Sequence, residues 1–110
     1  MNGSVTIAPH VLTSLIGHAA QEVPGIARMG IVPAKHVGDR LRGSQAQNGV
    51  LVRVEGNVHA DVYVVAQHDV NLLDLGSDVQ AAVTNALVEL VGLPVAEVNV
   101  VIQDVEAARG

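Results

Sequence analysis

The stretch VLVRVEGNVHADVYVVAQ, residues 50–67, decides the fold. Val50, Val52 and Val54 alternate with Leu51, Arg53 and Glu55, the period-two pattern of a strand with one buried face. Gly56-Asn57 marks a turn, since both residues tolerate positive φ. Beyond it Val58, Ala60, Val62, Val64 and Ala66 share one face, and His59, Asp61, Tyr63, Val65 and Gln67 share the other. A two-residue turn would split the valines between faces. A three-residue loop, Glu55-Gly56-Asn57, opposes Val54 to Val58 and keeps them together, and burial favours that register.

Upstream, Val5 and Ile7 alternate with Ser4 and Thr6, so residues 3–8 read as a short strand. Pro9 opens a helix, where its missing N–H leaves no bond unmade. Val11, Leu12, Leu15, Ile16, Ala19, Ala20 and Val23 form a 3.6-period stripe. Thr13, Ser14, Gly17, His18, Gln21 and Glu22 take the wet side, and Pro24-Gly25 ends the helix. Residues 26–48 hold three glycines, Pro33 and most of the basic residues, and read as a long loop. Downstream, Asn71 and Ser77 compete to cap a second helix. The earlier start keeps Leu75, Val79, Ala82, Ala86 and Leu90 on one stripe, with Val83 and Leu87 beside it. Gly92 suits a left-handed C-terminal residue, and Pro94 prevents continuation. Residues 97–105 form the last strand, with Val98, Val100 and Ile102 on one face.

The order is β-α-β-β-α-β in a single domain spanning residues 1–110. It predicts an α+β two-layer sandwich, with two helices on one face of a four-stranded sheet. A ferredoxin-like arrangement has this element order, although strand order is not readable from sequence. The chain has 110 residues, enough for one hydrophobic core. Hydrophobic residues are 49% and charged residues 15%, which excludes a disordered chain. Aromatics are 1%, a lone Tyr63, so the stacking platforms of single-strand nucleic-acid binders are missing. No cysteine is present, which excludes a disulfide scaffold and a thiol nucleophile.

These residues carry a resemblance. Gly3-Ser4-Val5-Thr6-Ile7-Ala8 leads through Ala19-Ala20 to Glu22-Val23-Pro24-Gly25-Ile26. Gly49-Val50-Leu51-Val52 leads through the hairpin to Val62-Tyr63-Val64-Val65. Gln80 and Val83 precede Gly92-Leu93-Pro94-Val95 and Val98-Asn99-Val100-Val101-Ile102. In this order and spacing the chain resembles the bacterial alkaline shock protein family, which includes the Gls-type general stress proteins. The resemblance covers nearly the whole chain. It implies a non-enzymatic cytoplasmic protein of envelope stress or envelope homeostasis. Some members are held at the membrane by a small membrane-protein partner. It supplies no catalytic residues and no cofactor, and this chain lacks the long charged tails of some members.

Other chemistries find little support. Residues 1–21 carry no Asp, Glu, Lys or Arg, but lack the positive n-region and unbroken apolar run of a signal peptide. No apolar run is long enough to span a bilayer, so a cytoplasmic protein meeting membranes only through a partner is expected. His10 and His18 lie about 12 Å apart along a helix and cannot share an ion. His59 and Asp61 point the same way, but two ligands do not make a metal site. Asp69, Asp74 and Asp78 gather near the second helix and could serve a small enzyme. The helix dipole alone accounts for Asp74 and Asp78.

Charge placement is the sharpest signal. Residues 28–53 hold Arg28, Lys35, Arg40, Arg42 and Arg53 against Asp39, a balance of +4. The remainder holds Arg109 against ten acids, a balance of −9. Lys35, Arg40, Arg42 and Arg53 are therefore expected to meet an acidic partner, anionic lipid or, in an alternative reading, RNA. The plainer account is a loop carrying a domain's solvated charge. Leu51, Tyr63 and Val65, outward by alternation, are expected to add an apolar patch for a protein partner or a second copy. Alternatively, loop 26–48 covers them with Ile31, Val32, Val37 and Leu41.

Overall fold

The computed structural model describes residues 2–34 and 44–107. Within them lie helix α1 (Pro9–Gln21), strands β1 (Ile26–Met29), β2 (Ser44–Gln47), β3 (Val50–Glu55) and β4 (Asn57–Gln67), helix α2 (Leu72–Ala86) and strand β5 (Val95–Glu106). A π-helical turn, Leu87–Val91, continues α2. The class is the expected one: α+β, with both helices packed on one face of a single sheet.

β4 organises that sheet. β3 pairs antiparallel with its first half in the expected register, Val54 opposite Val58. β5 runs parallel along its other edge, from Val58↔Val95 to Gln67↔Glu106. The crossover between them is α2, the usual way to join parallel neighbours. The far half of β4 outlasts β3, and β1 fills the gap by pairing Val64–Ala66 antiparallel. β2 extends the sheet beyond β3.

Three parts of the layout differ from expectation. Residues 3–8 are not a strand. In a βαββαβ ferredoxin-like sheet the first strand lies between the third and the last, which both run antiparallel to it. Without that strand the other two are parallel neighbours and pair directly, as β4 and β5 do. The arrangement is therefore ferredoxin-like with its first strand missing. Next, the segment expected as one long loop contains β1 and β2 at its ends. Both exist because β4 and β3 present backbone groups that need partners. Finally, β2 brings the sheet under a side of α1 expected to be wet. Thr13 and Gly17 are buried there. Thr13 Oγ1 hydrogen-bonds the His10 carbonyl at 3.0 Å and Gln47 Oε1 at 3.2 Å.

The core is aliphatic. Leu12, Ile16 and Ala20 of α1 and Leu75, Val79 and Val83 of α2 meet Val50, Val52, Val58, Ala60, Val62 and Val64 of the sheet. Asn71 caps α2, its side chain accepting from the Asp74 amide at 3.0 Å. The earlier of the two competing starts is thus the real one. Gly92 ends the helix in the left-handed region, φ 75°, as Gly at this position does.

Candidate functional site

The sheet's second face faces away from the helices. Across it β3, β4 and β5 line up Arg53, His59 and Glu97, then Leu51, Asp61 and Asn99. His59 Nδ1 and Glu97 Oε1 hydrogen-bond at 3.1 Å, and Asn99 Nδ2 donates to Asp61 Oδ1 at 2.9 Å. Hydrogen bonds from His59 and then Asn99 hold the Glu97 carboxyl below the usual carboxylate range. Arg53 Nε is buried without a hydrogen bond among the described residues, 3.8 Å from Glu55 Oε1. Half of the Arg53 side chain remains open to solvent.

The apolar members of this face do not form the expected exposed patch. Leu51, Tyr63 and Val65 are only 6%, 6% and 3% exposed. One reason is the chain leaving β1. Gly30 donates its amide to the Tyr63 carbonyl at 2.7 Å. Gln103 of β5 then grips Ile31 on both sides, Oε1 accepting the Ile31 amide and Nε2 donating to its carbonyl, each at 2.8 Å. The Gln103 side chain thus ties the backbone at Ile31 to β5, next to the Gly30–Tyr63 pairing. A side chain at position 30 would collide with Gln103 and come within 3.2 Å of the Tyr63 carbonyl carbon. Burial, and secondarily the Asp61 charge, push the Tyr63 hydroxyl above its ordinary pKa. Of the residues weighed from the sequence as a cover for Leu51, Tyr63 and Val65, Val32 is half-buried and Ile31 is 75% exposed. Val37 and Leu41 lie outside the described residues, as do Lys35, Arg40 and Arg42.

The acidic trio is not gathered into a cleft. Asp69 stands in a turn at positive φ, beside His68, while Asp74 and Asp78 lie on α2, and all three are exposed. General acid–base chemistry favours carboxylates in desolvated surroundings. Among the described residues no group of three or more His, Asp or Glu could hold a metal ion.

A feature missed from the sequence lies on the helical layer. An open groove of about 720 Å³ runs between α1 and the end of α2. Leu15, Ala19 and Val23 line one wall, Ala82, Ala86 and Leu90 the other, with His18, Glu22 and Glu89 at the rim. The signal was present in the stripes, which are wider than the core needs. On α2 the core takes Leu75, Val79, Val83 and Leu87. Ala82, Ala86 and Leu90, expected as the centre of the buried stripe, line the groove instead, and Leu90 is 71% exposed.

These elements define a two-layer α+β domain with an open groove on its helical layer. Sequence comparison is specific. The chain belongs to the alkaline shock protein 23 family, described as having a cell envelope-related function, whose model matches residues 1–107. Similar relatives are the uncharacterized protein YqhY of Bacillus subtilis, 31% identical, covering 89% of this chain and 73% of that protein. YloU of the same organism is 29% identical over 97% of this chain and 92% of that protein. An uncharacterized Streptococcus pyogenes protein is 27% identical, covering 97% of this chain and 82% of its own length. Among solved structures, the copper form of the MamM CTD superposes with a TM-score of 0.59 at 15% identity, covering 92% of this chain and 90% of that one. That likeness shows the fold alone. Among the described residues no helix is long and apolar enough to cross a membrane.

Proposed function

We propose that this chain is a non-enzymatic, cytoplasmic binding or scaffold module of the cell envelope, working by self-association or by docking to a membrane-linked protein partner. Charge segregation carries the reading. Outside residues 28–53 the chain has ten acids and one base, Arg109, whereas five of its six Lys and Arg lie inside that segment. Two oppositely charged regions on one chain are complementary between copies, and complementary fields raise association rates. Lys35, Arg40, Arg42 and Arg53 supply the basic contact. Leu51, Tyr63 and Val65 are the apolar part of this reading and act as the buried base of the second sheet face.

The test is light scattering of the full chain across concentration and salt, with Lys35, Arg40 and Arg42 reversed to Glu together as the variant. The expected result is a mass above the 11.4 kDa monomer, falling with salt and in the variant. Capture of membrane-fraction proteins by the tagged chain should fall in parallel. A strict monomer at every concentration, with capture indifferent to the reversals, would overturn the reading. Salt-sensitive binding of RNA by the native chain alone would replace the protein partner with nucleic acid.

A further inference from the structure

The helical groove has the form of a receptor for another helix. Its walls are two rows of apolar side chains, one from each helix; Val23 is shared with the core and Leu15 and Ala82 pack against it, while Leu90 stands 71% exposed. Leu15 and Ala19 follow each other at one-turn spacing on α1, with Val23 just beyond its end, as Ala82 and Ala86 do on α2, with Leu90 in the π turn that continues it. From Ser14 to Glu22 the lined stretch rises about 12 Å. Three alanines hold the walls low. A third helix can lay its ridge into such a trough, whereas a small ligand would leave much of its surface wet.

The charge around the groove specifies the occupant further. Glu22 and Glu89 stand on its rim. Residues 1–27 and 54–108, which include both helices, contain no Lys or Arg. The remaining rim cation is conditional: His18 lies 2.8 Å from Glu22, and both side chains are largely exposed. A phosphate-bearing ligand or an anionic lipid surface would meet like charge here. We infer that the groove between α1 and α2 docks an amphipathic helix of a partner protein, with its apolar stripe in the trough and Lys or Arg flanking it. This deepens the binding-module reading and rests on it.

The test uses the isotope-labelled full chain and two synthetic helices of about five turns, one of Leu and Lys, the other of Leu and Glu. The Leu/Lys helix is expected to shift the amide resonances of Leu15, Ala19, Ala82, Ala86 and Leu90, and the Leu/Glu helix to leave them in place. Two exposed leucines of the second helical segment make a matched control. Leu90→Arg should weaken binding by about tenfold or more. Leu73→Arg adds the same charge at a residue 87% exposed near the opposite end. It should change binding by less than about twofold. Equal losses in both variants would mean diffuse attraction and overturn the inference, as would shifts confined to the second sheet face. If Leu90→Arg alone lowers the mass in light scattering, the occupant is a second copy, which overturns helix docking and leaves the scaffold reading intact. No binding by a chain that still self-associates removes the inference alone. No binding by a strict monomer removes both.

Discussion

Tyr63 is the chain's only aromatic residue, which makes it a spectroscopic probe of the face it packs into. Its hydroxyl is shifted up, first by burial and then by Asp61. Above the ordinary tyrosine pKa of 10.0, the unfolded chain loses this proton before the folded one does. The native state then holds more protons, so stability falls as pH rises from that value toward the folded pKa. Following phenolate absorbance through an alkaline titration should give an apparent pKa above 10.0 for the folded chain, and the ordinary value in denaturant. A folded chain titrating at the ordinary value would contradict the burial described. The backbone around Tyr63 is equally tight. Gly49 sits at φ 78°, where an added Cβ would lie 2.8 Å from the Gly30 carbonyl and 2.9 Å from that of Tyr63. Both obstacles are backbone and cannot swing aside. Gly49→Ala should therefore cost about 2–4 kcal/mol in denaturant melts. Gly56→Ala has open space around it and should cost less, through its positive φ alone.

At the scale of elements, what the sequence disclosed and what it withheld have a common physical cause. α1, the β3–β4 hairpin, α2 and β5 were legible because each carries its own periodicity, and burial of one face selects one register. Residues 3–8 show the same alternation and form no strand. A strand is a pairing, and both edges of β4 are taken by β5 on one side and β3 with β1 on the other. Ser44–Gln47 is the converse case, with no β-branched residue and yet a strand, because β3 offers it an edge. The groove was hidden for a related reason: an apolar stripe does not say how much of its width the sheet will cover. Local signals that stand alone can still be priced. Asn71→Ala removes the side-chain acceptor of the Asp74 amide and should lower stability by about 1 kcal/mol. The later candidate cap, Ser77, lies inside α2, so Ser77→Ala should be neutral or slightly stabilising in the same thermal melts. Gln103→Ala should release Ile31, whose backbone it holds on both sides. Hydrogen exchange at the Ile31 amide should accelerate while amides in the middle of β4 keep their protection.

For the whole molecule, electrostatics makes a prediction of opposite sign at low and high protein concentration. The formal charge is −5, and most of the acids stand in stretches without a base. A dilute monomer is strained by that self-repulsion, so added salt should raise its melting temperature by screening it. Association between the basic segment of one copy and the acidic remainder of another acts the other way. It stabilises the folded state by mass action, and salt weakens it. At high concentration the melting temperature should therefore start higher and fall as salt is added, the two curves converging at high ionic strength. Reversing Lys35, Arg40 and Arg42 takes the formal charge from −5 to −11. The variant should lose the concentration dependence and show a steeper rise with salt than the native monomer. Melting curves that rise with salt identically at both concentrations would leave the −5 as plain surface charge and remove electrostatics from the assembly of this chain.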